Sequence, residues 1–223
     1  MPKLIFDPKI ATVVSIAGEL AVPSEHLVSP WLRQRFASPP VWRPEITDEN
    51  GLRSQRLPLR PASVLIPLVA RESGMTLLLT QRTAHLHDHP GQVSFPGGRA
   101  EKTDASAIET ALRETEEEVG IHRSRLDVLG TLPNYCTITG YLVTPVVSIV
   151  TPPFDFQPDP FEVAEIFEVP LSFLMDGAHH QRRMTEFSAG FGHRTFYSMP
   201  YERFFIWGAT AGMLRNLFHF LRA

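Results

Sequence analysis

The chain has 223 residues, 43% of them apolar and 20% charged, with a formal net charge of −3. This balance excludes a largely disordered chain, and it gives no global electrostatic case for binding nucleic acid or an anionic membrane. The single cysteine, Cys136, excludes an internal disulfide, and no apolar run reaches the roughly 20 residues of a membrane span. The opening stretch MPKLIFDPKIATVVSIAGEL lacks the charged start and unbroken apolar core of a secretory signal, so a cytoplasmic location is expected.

In chain order, SEHLVSPWLRQRF (residues 24–36) predicts a short helix whose apolar spacing is interrupted by Pro30. The proline-rich SPPVWRP (38–44) follows, and proline here favours loops and chain reversals because it fixes φ and removes a donor. The expected organisation is an N-terminal extension with a short helix over residues 1–50 and a main domain over 51–223. From Pro61 onward, β-like runs appear in ASVLIPLVA, MTLLLTQR, LDVLGTL, YLVTPVVSIV and AEIFEVP. The last of these follows a second proline-rich loop that starts at Thr151. WGATAGMLRNLFHFL predicts a closing helix. Strands interleaved with two or three helices predict an α+β or three-layer α/β/α domain with a mixed sheet.

Between the second and third runs lies ALRETEEEVGI (111–121), read as the end of a helix. At about 100° per residue, Glu118 falls about 40° to one side of Glu114 and Glu117 about 60° to the other, while Glu116 points to a different face. Ile108, Leu112, Thr115 and Val119 form a second, core-facing stripe. Ser106 with Glu109 offers a capping box, Asp104 competes as N-cap, and Gly120 is placed to end the helix. The acids therefore sit at the electronegative end of the helix dipole. Taken alone, the run reads as either a solvated face or a cation site, because like-charge pairs on an exposed helix cost only about 0.2–0.5 kcal/mol.

Upstream stands VSFPGGRAEKTD, whose Gly97 and Gly98 permit a tight turn and close approach of backbone to a ligand. Together, GGRAEKTDASAIETALRETEEEVGI resembles the signature of the Nudix hydrolases. Arg113, Glu114, Glu117, Glu118, Gly120 and Ile121 match its second half. In the first half the expected acid falls at Ala105, so Asp104 fills the role only with one extra loop residue, and Thr115 replaces an aliphatic residue. The resemblance implies a Nudix-type three-layer α/β/α sandwich and a Mg²⁺- or Mn²⁺-dependent diphosphatase. It assigns Glu114 and Glu118 to the metal, Glu117 to the metal or to the role of a water-orienting base, and Arg113 to orienting the acids. Such an ion offsets the repulsion of the acids, polarises phosphoryl oxygens and acidifies water. Glu116 should be dispensable.

The preceding LLTQRTAHLHDHPGQVSFPGG (78–98) is similar to the additional motif of coenzyme A diphosphatases within that family. Leu78, Leu79, Thr80, Arg82, Gly91, Phe95, Pro96, Gly97 and Gly98 match, whereas Thr83 replaces serine or alanine and His87 replaces arginine. The likeness continues into FFIWGATAGMLRNL. It implies coenzyme A or an acyl derivative as substrate, with Arg82, Gly97 and Gly98 as contacts; Arg82 alternatively reads as a structural ion pair. Glu162, with Glu165 behind it, is a candidate to complete the metal site or act as base, as acids outside the signature do in several Nudix enzymes. The alternatives are another nucleoside diphosphate derivative, such as ADP-ribose, NADH or a nucleoside triphosphate, or a nucleotide-binding module without turnover. A zinc cluster of His85, His87, Asp88 and His89 is a rival, but its spacing misses the metallo-β-lactamase pattern. Cys136 reads as a small buried side chain and YERFFIW as sheet and helix packing rather than an adenine platform. A homodimer is possible.

Overall fold

A computed structural model describes residues 7–45, 58–86, 88–186 and 193–223. Its centre is an eight-stranded mixed sheet. The strands β2 (Arg60–Arg71), β3 (Gly74–Arg82), β4 (Val93–Ser94), β6 (Leu126–Thr131) and β8 (Tyr141–Val150) lie in the order β4-β3-β2-β8-β6. Three short or flanking strands complete it: β5 (Gly97–Arg99) on β2, β7 (Tyr135–Cys136) on β8 and β9 (Val163–Pro170) on β3. The central β2 runs parallel to β8 and antiparallel to β3 and β5. Because β2 is covered on both faces, it reads as a near-continuous apolar run.

One face of the sheet carries Leu65, Val69, Leu78, Val146 and Val150 against helix α2 (Ala107–Val119). The other carries Ile66, Leu68, Leu77, Leu79 and Val147. Against that second face pack Leu214, Leu217, Phe218 and Leu221 of the closing helix α4 (Ala209–Arg222). Helix, sheet and helix thus form three layers, and the alternation of even and odd residues along β2 feeds two separate cores. A one-turn helix α3 (Leu171–Leu174) follows β9.

The N-terminal part is built into the same body. Strand β1 (Thr12–Ile16) pairs with β10 (Gln181–Glu186) in a four-stranded antiparallel sheet completed by β11 (His193–Tyr201) and β12 (Phe204–Trp207). Helix α1 (Ser29–Ala37) buries Leu32 completely and sets Phe36 against Phe220 of α4, ring centroids 4.6 Å apart. Pro30 does not interrupt this helix; it occupies the first turn, where its missing N–H has no intrahelical partner to lose. Arg215 of α4, nearly fully buried, donates to Glu19 from both terminal nitrogens (2.8 and 3.1 Å) and through Nε to Glu45 (2.9 Å). One cation therefore ties two points of the N-terminal segment to the closing helix. YERFFIW supplies β12 and its turn, with Phe204 stacked on Phe167 at 3.5 Å, and Cys136 is only half-buried.

Candidate active site

The acidic helix α2 is held at both ends by the chain around it. At its start, Ser106 Oγ accepts from Glu109 N–H at 3.2 Å, and at its end Gly120 adopts the left-handed conformation with φ +74°. Beyond the helix, the second proline-rich loop folds back: Gln157 N–H donates to the Val119 carbonyl and Asp159 N–H to the Glu118 carbonyl, both at 3.0 Å. These donors satisfy carbonyls that the helix leaves open and soften the negative potential at the end where the acids lie. The same contacts bring residue 162 to the acidic end of α2.

Leu112, Thr115 and Val119 are buried, Ile108 packs against their cluster, and the acids divide by depth. Glu118 is only 6% exposed and accepts from Gly97 N–H at 3.1 Å. Burial pushes its carboxyl up to about 8, the single hydrogen bond from Gly97 offsets part of this, and the nearby charges of Glu114 and Glu162 push it further. Glu114 is half-buried and also raised, by burial first, against the pull of Arg113. A Cβ on Gly98 would stand 2.5 Å from the Glu114 carboxylate, so the absent side chain makes the space that this carboxylate fills. Gly97 has φ +152°, and a Cβ there would run into the backbone of Ser63 and Val64. Glu117 is exposed, and Glu116 lies apart with Arg123 at 3.4 Å.

Arg113 joins these groups. Its Nε and Nη2 donate to the two oxygens of Asp104, each at 3.0 Å, while Nη1 meets Glu117 at 2.9 Å and Glu114 at 3.0 Å. Nη2 also donates to the Arg99 carbonyl at 3.2 Å. Asp104 accepts further bonds from Glu101 N–H and Thr110 Oγ1, each at 2.9 Å, and the Arg113 guanidinium holds its carboxyl well below the usual range. Asp104 is therefore the anchor of Arg113 and not the helix cap. Its nine-residue separation from Arg113 was the available signal for this role, but the path of the two residues before the helix decided whether the pair could meet.

Arg82 ends β3 with its Nη1 3.9 Å from Glu162, and its Nε is buried without a hydrogen-bond partner among the described residues. Thr83, which departs from the related motif, donates through Oγ1 to the Phe161 carbonyl at 2.7 Å and through its N–H to the Glu162 carbonyl at 3.0 Å. It thereby fixes the strand end against the loop that carries Glu162. Glu165 is drawn away to Arg203. His85 packs on Phe161, ring centroids 4.9 Å apart, and His87 lies outside the described residues.

Among the described residues, no three His, Cys, Asp or Glu side chains converge as a ready-made metal cage. Glu117 would have to leave Arg113 to join one. The donor set nevertheless fits a hard divalent cation: Glu114 and Glu118 are oxygen donors facing the glycine turn, both made hard to ionise by burial, and Glu162 adds to their negative field. A cation between them would relieve that cost.

Residues 59–187 match the sequence model of the NUDIX domain. The chain belongs to the Nudix family. It is 46% identical over 176 residues to the Escherichia coli K12 protein named "Uncharacterized Nudix hydrolase NudL", covering 78% of this chain and 86% of that one. A Shigella boydii protein of the same name matches to the same extent. Among solved structures, the Mycobacterium smegmatis Nudix hydrolase RenU aligns at 23% identity and a TM-score of 0.43, over 50% of this chain and 71% of that one. The MutT protein of Methanosarcina mazei aligns at 26% and 0.43, over 53% and 83%. This Nudix hydrolase has the α+β fold with a mixed sheet, from a family whose domain binds nucleotide-type small molecules and typically uses divalent metals. No helix among the described residues is long and apolar enough to cross a membrane.

Proposed function

We propose that this Nudix hydrolase cleaves the diphosphate of coenzyme A or an acyl derivative, with Mg²⁺ or Mn²⁺, to 3′,5′-ADP and 4′-phosphopantetheine or its acyl form. The observation that carries the reading is the bond from Gly97 N–H to the buried Glu118 carboxylate. It joins the acidic helix to the motif at 78–98 that is similar to coenzyme A diphosphatases.

Glu114 and Glu118 would hold the ion, with Glu117 as a further ligand or as the group that orients water. The bound ion supplies charge that offsets developing negative charge on phosphoryl oxygens and acidifies water. Arg113, anchored by Asp104, holds Glu114 and Glu117 in place through charge-assisted hydrogen bonds. Glu162 stands ready to accept a proton from the attacking water, its neighbour Arg82 placing positive charge beside it. Arg82, with an unpartnered buried Nε, contacts the substrate's phosphates, and the Gly97–Gly98 turn lets backbone approach them. Water forms one new P–O bond, and the bridging P–O bond breaks.

A chromatographic comparison of coenzyme A, dephospho-coenzyme A, ADP-ribose and NADH, each with and without magnesium, tests the reading. The expected result is magnesium-dependent formation of 3′,5′-ADP, with coenzyme A turned over fastest. Equal or slower turnover of coenzyme A than of the others overturns the substrate assignment.

A further inference from the structure

Glu162 is carried by a loop, yet the backbone around it is bonded from two directions. On the strand side, Thr83 N–H donates to the Glu162 carbonyl at 3.0 Å and Thr83 Oγ1 to the Phe161 carbonyl at 2.7 Å. The pairing of β3 with β9 slips by one residue just here: Gln81 faces Glu165 and Arg82 faces Val163, so Ala164 is the extra residue. A bulge of this kind re-aims the side chains next to it. It leaves Glu162 beside Thr83, with its carboxylate 3.9 Å from Arg82 Nη1.

From the other direction comes Asp159, which stands between Pro158 and Pro160. Pro160 fixes its own φ, biases Asp159 to an extended backbone and adds no N–H for the turn to strand. Asp159 Oδ1 then accepts from Phe161 N–H at 2.8 Å, a side-chain-closed turn. The Asp159 carbonyl accepts from Glu162 N–H at 3.2 Å and from Val163 N–H at 2.8 Å. Its own N–H donates to the Glu118 carbonyl, in the last turn of α2, at 3.0 Å. One residue thus bonds the backbone of the deepest acid and the backbone around Glu162. Only two of these bonds depend on side chains, from Asp159 Oδ1 and Thr83 Oγ1, and both end on Phe161. The Phe161 side chain is itself 63% exposed, so these bonds, more than its packing, fix the residue that precedes Glu162.

We propose that Asp159, with Thr83 opposite it, is a positioning residue that holds Glu162 in register with the acidic end of α2. The proposal rests on the reading of Glu162 as the group that takes the proton from water. It accounts for a base carried on a loop: the turn is tied to the same helix that carries Glu114 and Glu118. A shift of about 1 Å in a reacting group costs on the order of 100-fold in rate, so a loop without such ties would serve poorly.

A double-mutant cycle with Glu162→Gln tests this, read as steady-state rates on coenzyme A, ADP-ribose and NADH in saturating magnesium. Glu162→Gln should lower kcat about 100-fold. Asp159→Ala should lower kcat about tenfold with KM within about twofold, and Asp159→Asn, which keeps the Oδ1 acceptor, should restore most of the loss. In the Glu162→Gln background Asp159→Ala should cost less than about twofold, because no base is left to misplace. Thr83→Val, which removes the hydroxyl and keeps the size, repeats the cycle from the strand side and serves if Asp159→Ala melts early. Equal losses in both backgrounds, an unchanged kcat, or Asn no better than Ala overturns the positioning role and leaves the proposed function standing. Glu162→Gln at the wild-type rate overturns the base and its positioning together. Absence of magnesium-dependent turnover of every nucleotide overturns the function itself and the positioning role with it.

Discussion

Arg113 and Asp104 form a two-pronged ion pair, Nε to Oδ1 and Nη2 to Oδ2, each 3.0 Å long, between the middle of the acidic helix and the loop before it. The pair sets the direction of a guanidinium whose remaining nitrogen meets both Glu114 and Glu117. Asp104→Asn keeps the shape and removes the charge, so Arg113 should lose its orientation. We expect kcat/KM to fall roughly 10- to 100-fold, the usual range for groups that orient metal ligands. A rate within twofold of wild type in steady-state assays would show that Arg113 needs no such anchor.

Glu118 and Glu116 differ in sequence position by two residues and in surroundings entirely. Glu118→Gln removes the buried carboxyl proposed to hold the ion and should cost about 1,000-fold in turnover, several kcal/mol of transition-state stabilisation. Among the described residues Glu116→Gln loosens only surface pairs with Arg123 and His122, and it should leave turnover within about twofold. Parallel kinetics of the two variants check the assignment of faces, and a reversal of the two outcomes would refute it.

The two glycines of the turn should fail in different ways. Alanine at position 98 meets the movable end of Glu114, so the protein should fold and melt near the wild-type temperature while losing activity. Alanine at position 97 meets backbone of β2 at a positive φ and should lower the melting temperature itself. Thermal melts alongside rate measurements separate the two effects.

The metal-free protein should lose stability as the solution becomes more alkaline. Glu118 titrates near 8 in the fold, against about 4.5 in the unfolded chain. Between those values the native state holds more protons, so its stability is full below about pH 4.5 and declines as pH rises through 8. Magnesium should flatten this slope, and Glu118→Gln should reduce it to the share that the raised Glu114 carboxyl contributes. Melting temperatures at pH 6 and 8, in EDTA and in magnesium, provide the measurement.

On the acid side the Arg215 cluster acts with the opposite sign. His180 is fully buried, its Nε2 bonded to the Leu174 carbonyl at 2.8 Å and its Nδ1 3.0 Å from Arg215, an arrangement that suits the neutral ring. Burial lowers it to about 4, so the unfolded chain takes up the proton first, and stability is lost as pH falls from 6.5 through 4. Glu45, which burial raises but bonds from His219, Tyr197 and Arg215 bring down to about 2, extends the loss from pH 4.5 downward. Arg215→Met strands two carboxylates and should cost roughly 3–5 kcal/mol in urea unfolding.

Helix α2 was legible because its apolar stripe repeats at the helical period and both of its ends carry residues with local reasons to stop a helix, Ser106 and Gly120. The long strands of the central sheet were legible as apolar runs because both of their faces are buried. The second sheet was harder to read. All five residues of β1 are exposed, and β10 reads QRRMTE with no alternation, since these strands are held by backbone pairing to partners about 170 residues apart. Pairing of that kind leaves no periodic mark in either segment.

Local chemistry, then, was enough to foretell the acidic helix, the glycine turn beside it, the sandwich of helices about a mixed sheet and the separation of Glu116 from its neighbours. Each of these follows from periodicity or from conformations open to one residue type. How deep each carboxylate lies, that Glu118 sinks while Glu117 stays in solvent, and that Asp104 seizes Arg113, emerged from the folded chain alone. Burial and charge pairing depend on which distant segments come to lie alongside, and no window of neighbouring residues carries that information.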